Sequence, residues 1–99
     1  MGILREIGNG KEHVLDVKQT LGRSPQCAVR LSDWWVDPCQ AELRWDGEAW
    51  IIRDLASWKG TFVDGARLSA GQTHALQLGS AIGFGRADPD FELIDGSGP

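Results

Sequence analysis

QAELRWDGEAWIIRDLASWKGTFVDG, from Gln40 to Gly65, decides how the rest of the chain is read. Side chains along a strand alternate between its two faces. In Gln40–Trp45, Ala41 and Leu43 fall on one face, and Gln40, Glu42 and Arg44 on the other. In Ala49–Arg53, Trp50 and Ile52 share one face, and Ala49 and Ile51 the other. Asp46-Gly47 separates the two runs, and Asp-Gly favours a type I′ hairpin turn. The segment therefore predicts an antiparallel hairpin with at least one buried face. A second Asp-Gly, at Asp64-Gly65, closes the segment.

The same grammar extends in both directions. The chain has 13 glycines and 4 prolines, which break it into short apolar runs without helical periodicity. Short strands at such spacing indicate a sandwich or barrel. The expected fold is all-β: a two-sheet, mostly antiparallel sandwich of about 11 short strands. Candidate strands are Ile3–Ile7, His13–Val17, Thr20–Arg23, Ala28–Leu31, Gln40–Trp45, Ala49–Arg53, Thr61–Val63, Arg67–Leu68, His74–Gln77, Ala81–Phe84 and Phe91–Ile94. Gly8-Asn9-Gly10 marks another turn. With 99 residues the chain suits one domain, expected over 1–95. Residues 96–99, Gly-Ser-Gly-Pro, have the composition of a flexible tail or linker start.

Composition narrows the function classes. Hydrophobic content of 41% and charged content of 24% suit a soluble globular domain. A net charge of −4, spread along the chain, argues against nucleic acid as partner. No apolar run has the roughly 20 residues needed to span a bilayer. The start, MGILREIGNGKEH, lacks the basic-then-apolar pattern of a signal peptide, so a cytoplasmic setting is expected. Cys27 and Cys39 match no zinc or redox spacing, and a reduced chain is the simpler reading. Cys27 is expected in the core and Cys39 nearer solvent. His13 and His74 lie in separate strands without metal-ligand spacing, so neither metal nor cofactor is expected. Nothing resembles a phosphate loop opening a helix or a nucleophile beside a base, so the chain reads as no enzyme.

Four segments then occur in a fixed order: LGRSPQCAVRLSD (Leu21–Asp33), VDPCQAEL (Val36–Leu43), WIIRDLASWKGTFVDG (Trp50–Gly65) and LQLGSAIGFG (Leu76–Gly85). Together they resemble the forkhead-associated (FHA) domain, a phosphothreonine-binding β-sandwich of signalling proteins. The resemblance covers about Ile3 to Ile94. It implies ligand-binding loops at one end of the sandwich. It also implies that Arg23, after the glycine, contacts phosphothreonine. The family's Ser-x-x-His motif supplies a phosphate-binding serine and a histidine that braces the loops. Its Ser-x-Asn-Gly-Thr loop supplies an asparagine that holds the peptide backbone.

This chain departs from that pattern. Asp37 stands at the serine position, Gln40 at the histidine, Lys59 at the asparagine, and Trp58 just before it. Gly22, Arg23, Ser57, Gly60 and Thr61 remain. A serine hydroxyl donates to phosphate, whereas an ionised Asp37 only accepts. A phosphate of about −1.5 to −2 charge at about 5 Å from a carboxylate is repelled by about 3 to 6 kcal/mol at an effective dielectric of about 20 to 40. A micromolar site is worth about 8 kcal/mol. Ordinary phosphopeptide binding is therefore expected to be lost, with Asp37 pairing internally with Arg23 in place of the phosphate.

Trp34 and Trp35 precede Asp37, and Trp58 lies in the neighbouring loop. If the loops meet as in the family, the three indoles cluster at one end, and tryptophan is enriched in interface hot spots. The alternative is that Trp34 or Trp35 folds back to roof the core. Trp45 and Trp50 read as hairpin packing, and Ser57 and Thr61 as loop braces. The expected partner-binding set is Arg23, Ser24, Trp34, Trp35, Asp37, Gln40, Ser57, Trp58, Lys59 and Thr61. The expected function is a signalling or adaptor module that binds a protein partner, without nucleic acid or membrane. Family members often sit beside kinases, cyclases or regulators. Two alternatives stay open: a working phosphothreonine reader using Arg23 and Lys59, and a structural piece of a larger assembly.

Overall fold

The computed structural model describes all residues, Met1–Pro99. Eleven strands follow in order: β1 (Ile3–Glu6), β2 (Glu12–Val14), β3 (Lys18–Gly22), β4 (Val29–Arg30), β5 (Ala41–Trp45), β6 (Trp50–Asp54), β7 (Thr61–Val63), β8 (Ala66–Arg67), β9 (Thr73–Ala75), β10 (Ala81–Phe84) and β11 (Phe91–Asp95). They form a six-stranded sheet, β2-β1-β11-β10-β7-β8, and a five-stranded sheet, β4-β3-β5-β6-β9. Every pairing is antiparallel except β3 with β4. Each candidate strand has its counterpart, with edges shifted by a few residues. No helix is long and apolar enough to cross a membrane.

The alternating residues fill the space between the sheets. Ala41, Leu43, Trp50 and Ile52 of the hairpin are buried with Leu4, Leu21, Ile82, Phe84, Phe91 and Leu93. Register places Ala41 opposite Asp54 and Trp45 opposite Trp50, and the two indoles pack at 5.3 Å between centroids. Trp45 is partly buried against the core, as its strand position implied.

The hairpin turn departs from expectation. Only Gly47 has positive φ, at 102°, so Asp46-Gly47 is not a type I′ turn. The loop spans 46–49, and the Asp46 carboxylate accepts the N–H groups of Glu48 and Ala49, both at 2.8 Å. Those bonds, Ala49 first, hold the Asp46 pKa below its ordinary value. The side chain has replaced the tight two-residue turn with a longer capped one. The type I′ signature occurs instead at Asp64-Gly65, where φ is 50° and 84° between the paired Val63 and Ala66.

Strand directions gather four loops at one end. There β3 ends beside the start of β5 (Leu21 opposite Ala41), β5 starts beside the end of β6, and β10 ends beside the start of β7 (Phe84 opposite Thr61). The opposite end carries the Trp45–Trp50 pair, and Ile3 lies opposite Asp95. Ser97, within the expected tail, lies against this far end. Its carbonyl accepts the Trp50 indole N–H at 2.9 Å, and its hydroxyl accepts the Met1 ammonium at 2.9 Å.

Candidate functional site

The loops 23–28, 31–40, 55–60 and 85–90 meet at the gathered end, and buried polar side chains fix them. Asp54, at the end of β6, is the hub of loop 55–60. Its carboxylate accepts the Ser57 hydroxyl at 2.5 Å, the Thr61 hydroxyl at 2.8 Å and the Ser57 N–H at 3.2 Å. Ser57 Oγ in turn accepts the Gly60 N–H at 3.1 Å. All three side chains are buried, so Ser57 and Thr61 brace the loop and present no side chain to a partner.

Gln40 joins this loop to loop 31–40. It is 0% exposed. Its Oε1 accepts the Asp37 N–H at 2.9 Å, and its Nε2 donates to the Gly60 carbonyl at 2.8 Å, with Thr61 Oγ1 at 3.3 Å. The side chain thus performs the bracing that the family histidine implied. Its place in the contact set is corrected to a support beneath the surface, because β5 begins one residue later and leaves Gln40 in the seam between loops. An amide suits that seam, since it donates and accepts at once.

A backbone ladder ties loop 23–28 to loop 31–40. Arg23 N–H donates to Asp37 O at 2.9 Å, and Ser24 N–H to Pro38 O at 3.2 Å. The approach is so close that a Cβ on Gly22 would lie 2.3 Å from Pro38 O, which explains the glycine before Arg23. Cys27 is half-buried in this ladder and not in the core. Its thiol donates to Pro38 O at 3.1 Å, and burial raises its pKa. Cys39 is exposed, and both thiols are free.

The expected Arg23–Asp37 ion pair does not form. Arg23 is exposed and its Nε donates to the Val36 carbonyl at 3.0 Å. The Asp37 carboxylate accepts the Trp58 N–H at 3.3 Å. A solvated ion pair adds little stability, so local backbone partners suffice to divert both groups.

The adjacent tryptophans have opposite fates. Trp35 is half-buried, packs on the core and donates its indole N–H to the Phe84 carbonyl at 2.9 Å. It is the roof over this end of the core. Trp34 is 70% exposed and meets Trp35 edge-on at 5.7 Å. Trp58, 66% exposed, lies 6.3 Å from Trp34. Lys59 Nζ sits 4.6 Å from the Trp58 ring centre, and Arg86 Cζ 5.3 Å from that of Trp35, both in cation–π range.

Arg86 and Gly85 belong to a loop the sequence reading left out of the site. Gly85 N–H donates to Gly60 O at 2.8 Å, drawing loop 85–90 against loop 55–60. A Cβ at Gly85 would lie 2.4 Å from Trp35 Cδ1, so glycine lets the indole seat there. A cavity of about 250 Å³ opens between Trp34, Trp35, Lys59, Gly85 and Arg86. Behind Arg86, Asp90 accepts the Phe84 N–H at 2.9 Å and meets Arg86 at 3.4 Å. Burial pushes the Asp90 pKa above its ordinary value, against the pull of these two partners.

A β-sandwich with one end built from interlocked loops that expose two indoles, Trp34 and Trp58, and three cations, Arg23, Lys59 and Arg86, has the form of a recognition module. Comparison with known proteins makes the class specific. The FHA domain family matches residues 19–85, and the chain belongs to that family. FHA domains are protein-interaction modules that bind phosphopeptides. The chain is similar to the FHA domain of FhaA, solved in complex with the intracellular domain of Rv3910: 30% identity over 95% of this chain and 98% of that one, with a TM-score of 0.78. It is similar in fold to EmbR of Mycobacterium tuberculosis, solved with a low-affinity phosphopeptide: 22% identity, TM-score 0.85, covering 99% of this chain. This chain spans 25% of the EmbR chain. The FHA domain of CT664 from Chlamydia trachomatis superposes with a TM-score of 0.80 at 22% identity, over 95% of this chain and 96% of that one. No curated protein matches the sequence.

Proposed function

We propose that the domain is a protein-interaction module whose phosphothreonine pocket is degraded, and that it binds a protein partner through the loop end by contact alone, without catalysis. The observation that carries this reading is the position of Asp37. Its carboxylate faces the loop 55–60 backbone, on the Trp58 N–H, beside the Arg23 side chain's own carbonyl partner. A phosphate entering there would meet a negative charge and a donor already engaged. Gln40 supports the reading from the other side: the brace persists, so the loops stay formed although the phosphate ligands have changed. The exposed indoles of Trp34 and Trp58 supply the contact surface. In a longer protein the module would serve a kinase, cyclase or regulator beside it.

The competing reading is a phosphothreonine reader that uses Arg23 and Lys59, both exposed. The test is a titration with a degenerate phosphothreonine peptide library and its unphosphorylated twin, followed by tryptophan fluorescence. The proposal expects no phospho-dependent signal in the wild type, and its appearance after Asp37→Ser with Lys59→Asn. Phospho-dependent binding tighter than about 50 μM, abolished by Arg23→Ala, would sink it, since a repulsion of several kcal/mol is incompatible with such affinity.

A further inference from the structure

The cavity beside Trp35 lies outside the Arg23–Asp37 region and has its own chemistry. Its walls are indoles, and its two charged lining residues, Lys59 and Arg86, are both cations. No carboxylate lines it, although the whole chain carries net charge −4. The local sign is thus opposite to that of the molecule. Each cation is held against an indole face, which leaves its remaining donors free for an incoming anion. Arg86 is paired with one carboxylate, Asp90, whose other oxygen accepts the Phe84 N–H and which is turned inward, its side chain 14% exposed; Glu6 and Asp33 line a second cavity that Arg86 borders. Trp34 stands between Trp35 and Trp58, so the apolar surface runs continuously from the cavity to the loop rim.

A cavity of about 250 Å³ is large enough for one leucine or aromatic side chain. Two cations at its mouth select a carboxylate beside that side chain. Nucleic acid could stack on exposed indoles, but it needs a track of cations along its backbone, and this acidic chain has two at this place. We infer that this cavity takes a large apolar side chain from an unphosphorylated acidic peptide segment of a partner protein, with a neighbouring Glu or Asp carboxylate between Lys59 and Arg86. The inference rests on the reading of the loop end as a protein-binding surface and names the ligand chemistry of that surface.

The experiment is selection of unphosphorylated random 12-residue peptides on the whole chain, followed by fluorescence titration of an enriched peptide. Enrichment of a large apolar residue within two positions of Glu or Asp is the expected result. Lys59→Gln and Arg86→Gln should each then weaken the selected peptide about two- to fivefold, as for exposed ion pairs. Trp34→Ala should weaken it about 30-fold, as for an interface hot spot. Affinity should also fall as salt rises from about 0.05 to 0.5 M. Circular dichroism checks that the variants are folded. Enriched peptides without acidic residues, or full affinity in both cation variants, would overturn the inference and leave the loop-end reading standing. Enrichment of nothing, with phosphothreonine peptides bound instead, would overturn both. Preferential binding of a 15-nucleotide oligothymidine would overturn the inference in favour of nucleic acid.

Discussion

Gln40→Met isolates the polar work of one side chain. Methionine keeps the unbranched length of glutamine and removes its donor and its acceptor, so little cavity is created. In the wild type Oε1 accepts the Asp37 N–H and Nε2 donates to the Gly60 carbonyl. The Gly60 carbonyl also accepts the Gly85 N–H, so it keeps one partner in the variant. The Asp37 N–H keeps none. An orphaned buried donor costs about 1–3 kcal/mol, and the lost bond to Gly60 about 0.5–1.5 kcal/mol. Asp37 is only half-buried, and water reaches it more easily than Gln40, which favours the lower part of that range. The expected loss is about 2–3 kcal/mol, which for a domain of this size lowers Tm by about 10–20 °C. Thermal unfolding by circular dichroism gives the total, and amide hydrogen exchange at Asp37 locates it. A Tm lowered by less than about 4 °C, with Asp37 exchange unchanged, would show that Gln40 is not what joins the two loops.

Ala56 adopts φ of 56°, a left-handed conformation that costs an L-residue about 1–2 kcal/mol. Glycine removes that strain but adds about 0.4–1 kcal/mol of unfolded-state entropy, so Ala56→Gly should raise stability by about 0.5–1 kcal/mol in urea titrations. Asp90 has its pKa raised by burial above the ordinary 3.8. The folded state therefore holds the proton at pH values where the unfolded chain has released it, and the associated stability, full below about pH 3.8, is lost as pH rises through the folded-state value. Asp90→Asn retains an acceptor for the Phe84 N–H and carries no titrating proton. Its unfolding curve should improve relative to wild type as pH rises from 3 to 7; a constant difference across that range would refute the assignment.

What the sequence made legible was set by local rules. Period-two alternation marked β5 and β6, because a strand that buries one face must write that face into its sequence. At Asp46-Gly47 the Asp46 carboxylate, a side-chain effect, overrides the dipeptide preference for a type I′ turn. Trp34 and Trp35 are identical in type and adjacent, yet one is exposed and the other roofs the core. Their difference depends on the Phe84 carbonyl, 49 positions from Trp35, and no local pattern encodes that. No local pattern marks Arg86 either: it lies beside these loops because Gly85 is hydrogen-bonded to Gly60. Cys27 was placed in the core by residue type, whereas the close ladder between loops 23–28 and 31–40 offered its thiol a carbonyl at the surface. The Arg23–Asp37 pair failed through competition from nearby backbone groups, which a sequence does not display.

Met1 and Ser97 are joined at the end of the sandwich that carries the Trp45–Trp50 pair, opposite Trp34 and Trp58. The two chain ends thus leave from one end of a body 30 × 27 × 24 Å in extent, and the loops stand at the other. An extended chain covers at most about 3.3–3.6 Å per residue, so a flanking segment needs about seven to nine residues merely to reach the Trp34 cavity from either terminus. A flanking segment shorter than that stays clear of the exposed indoles of Trp34 and Trp58.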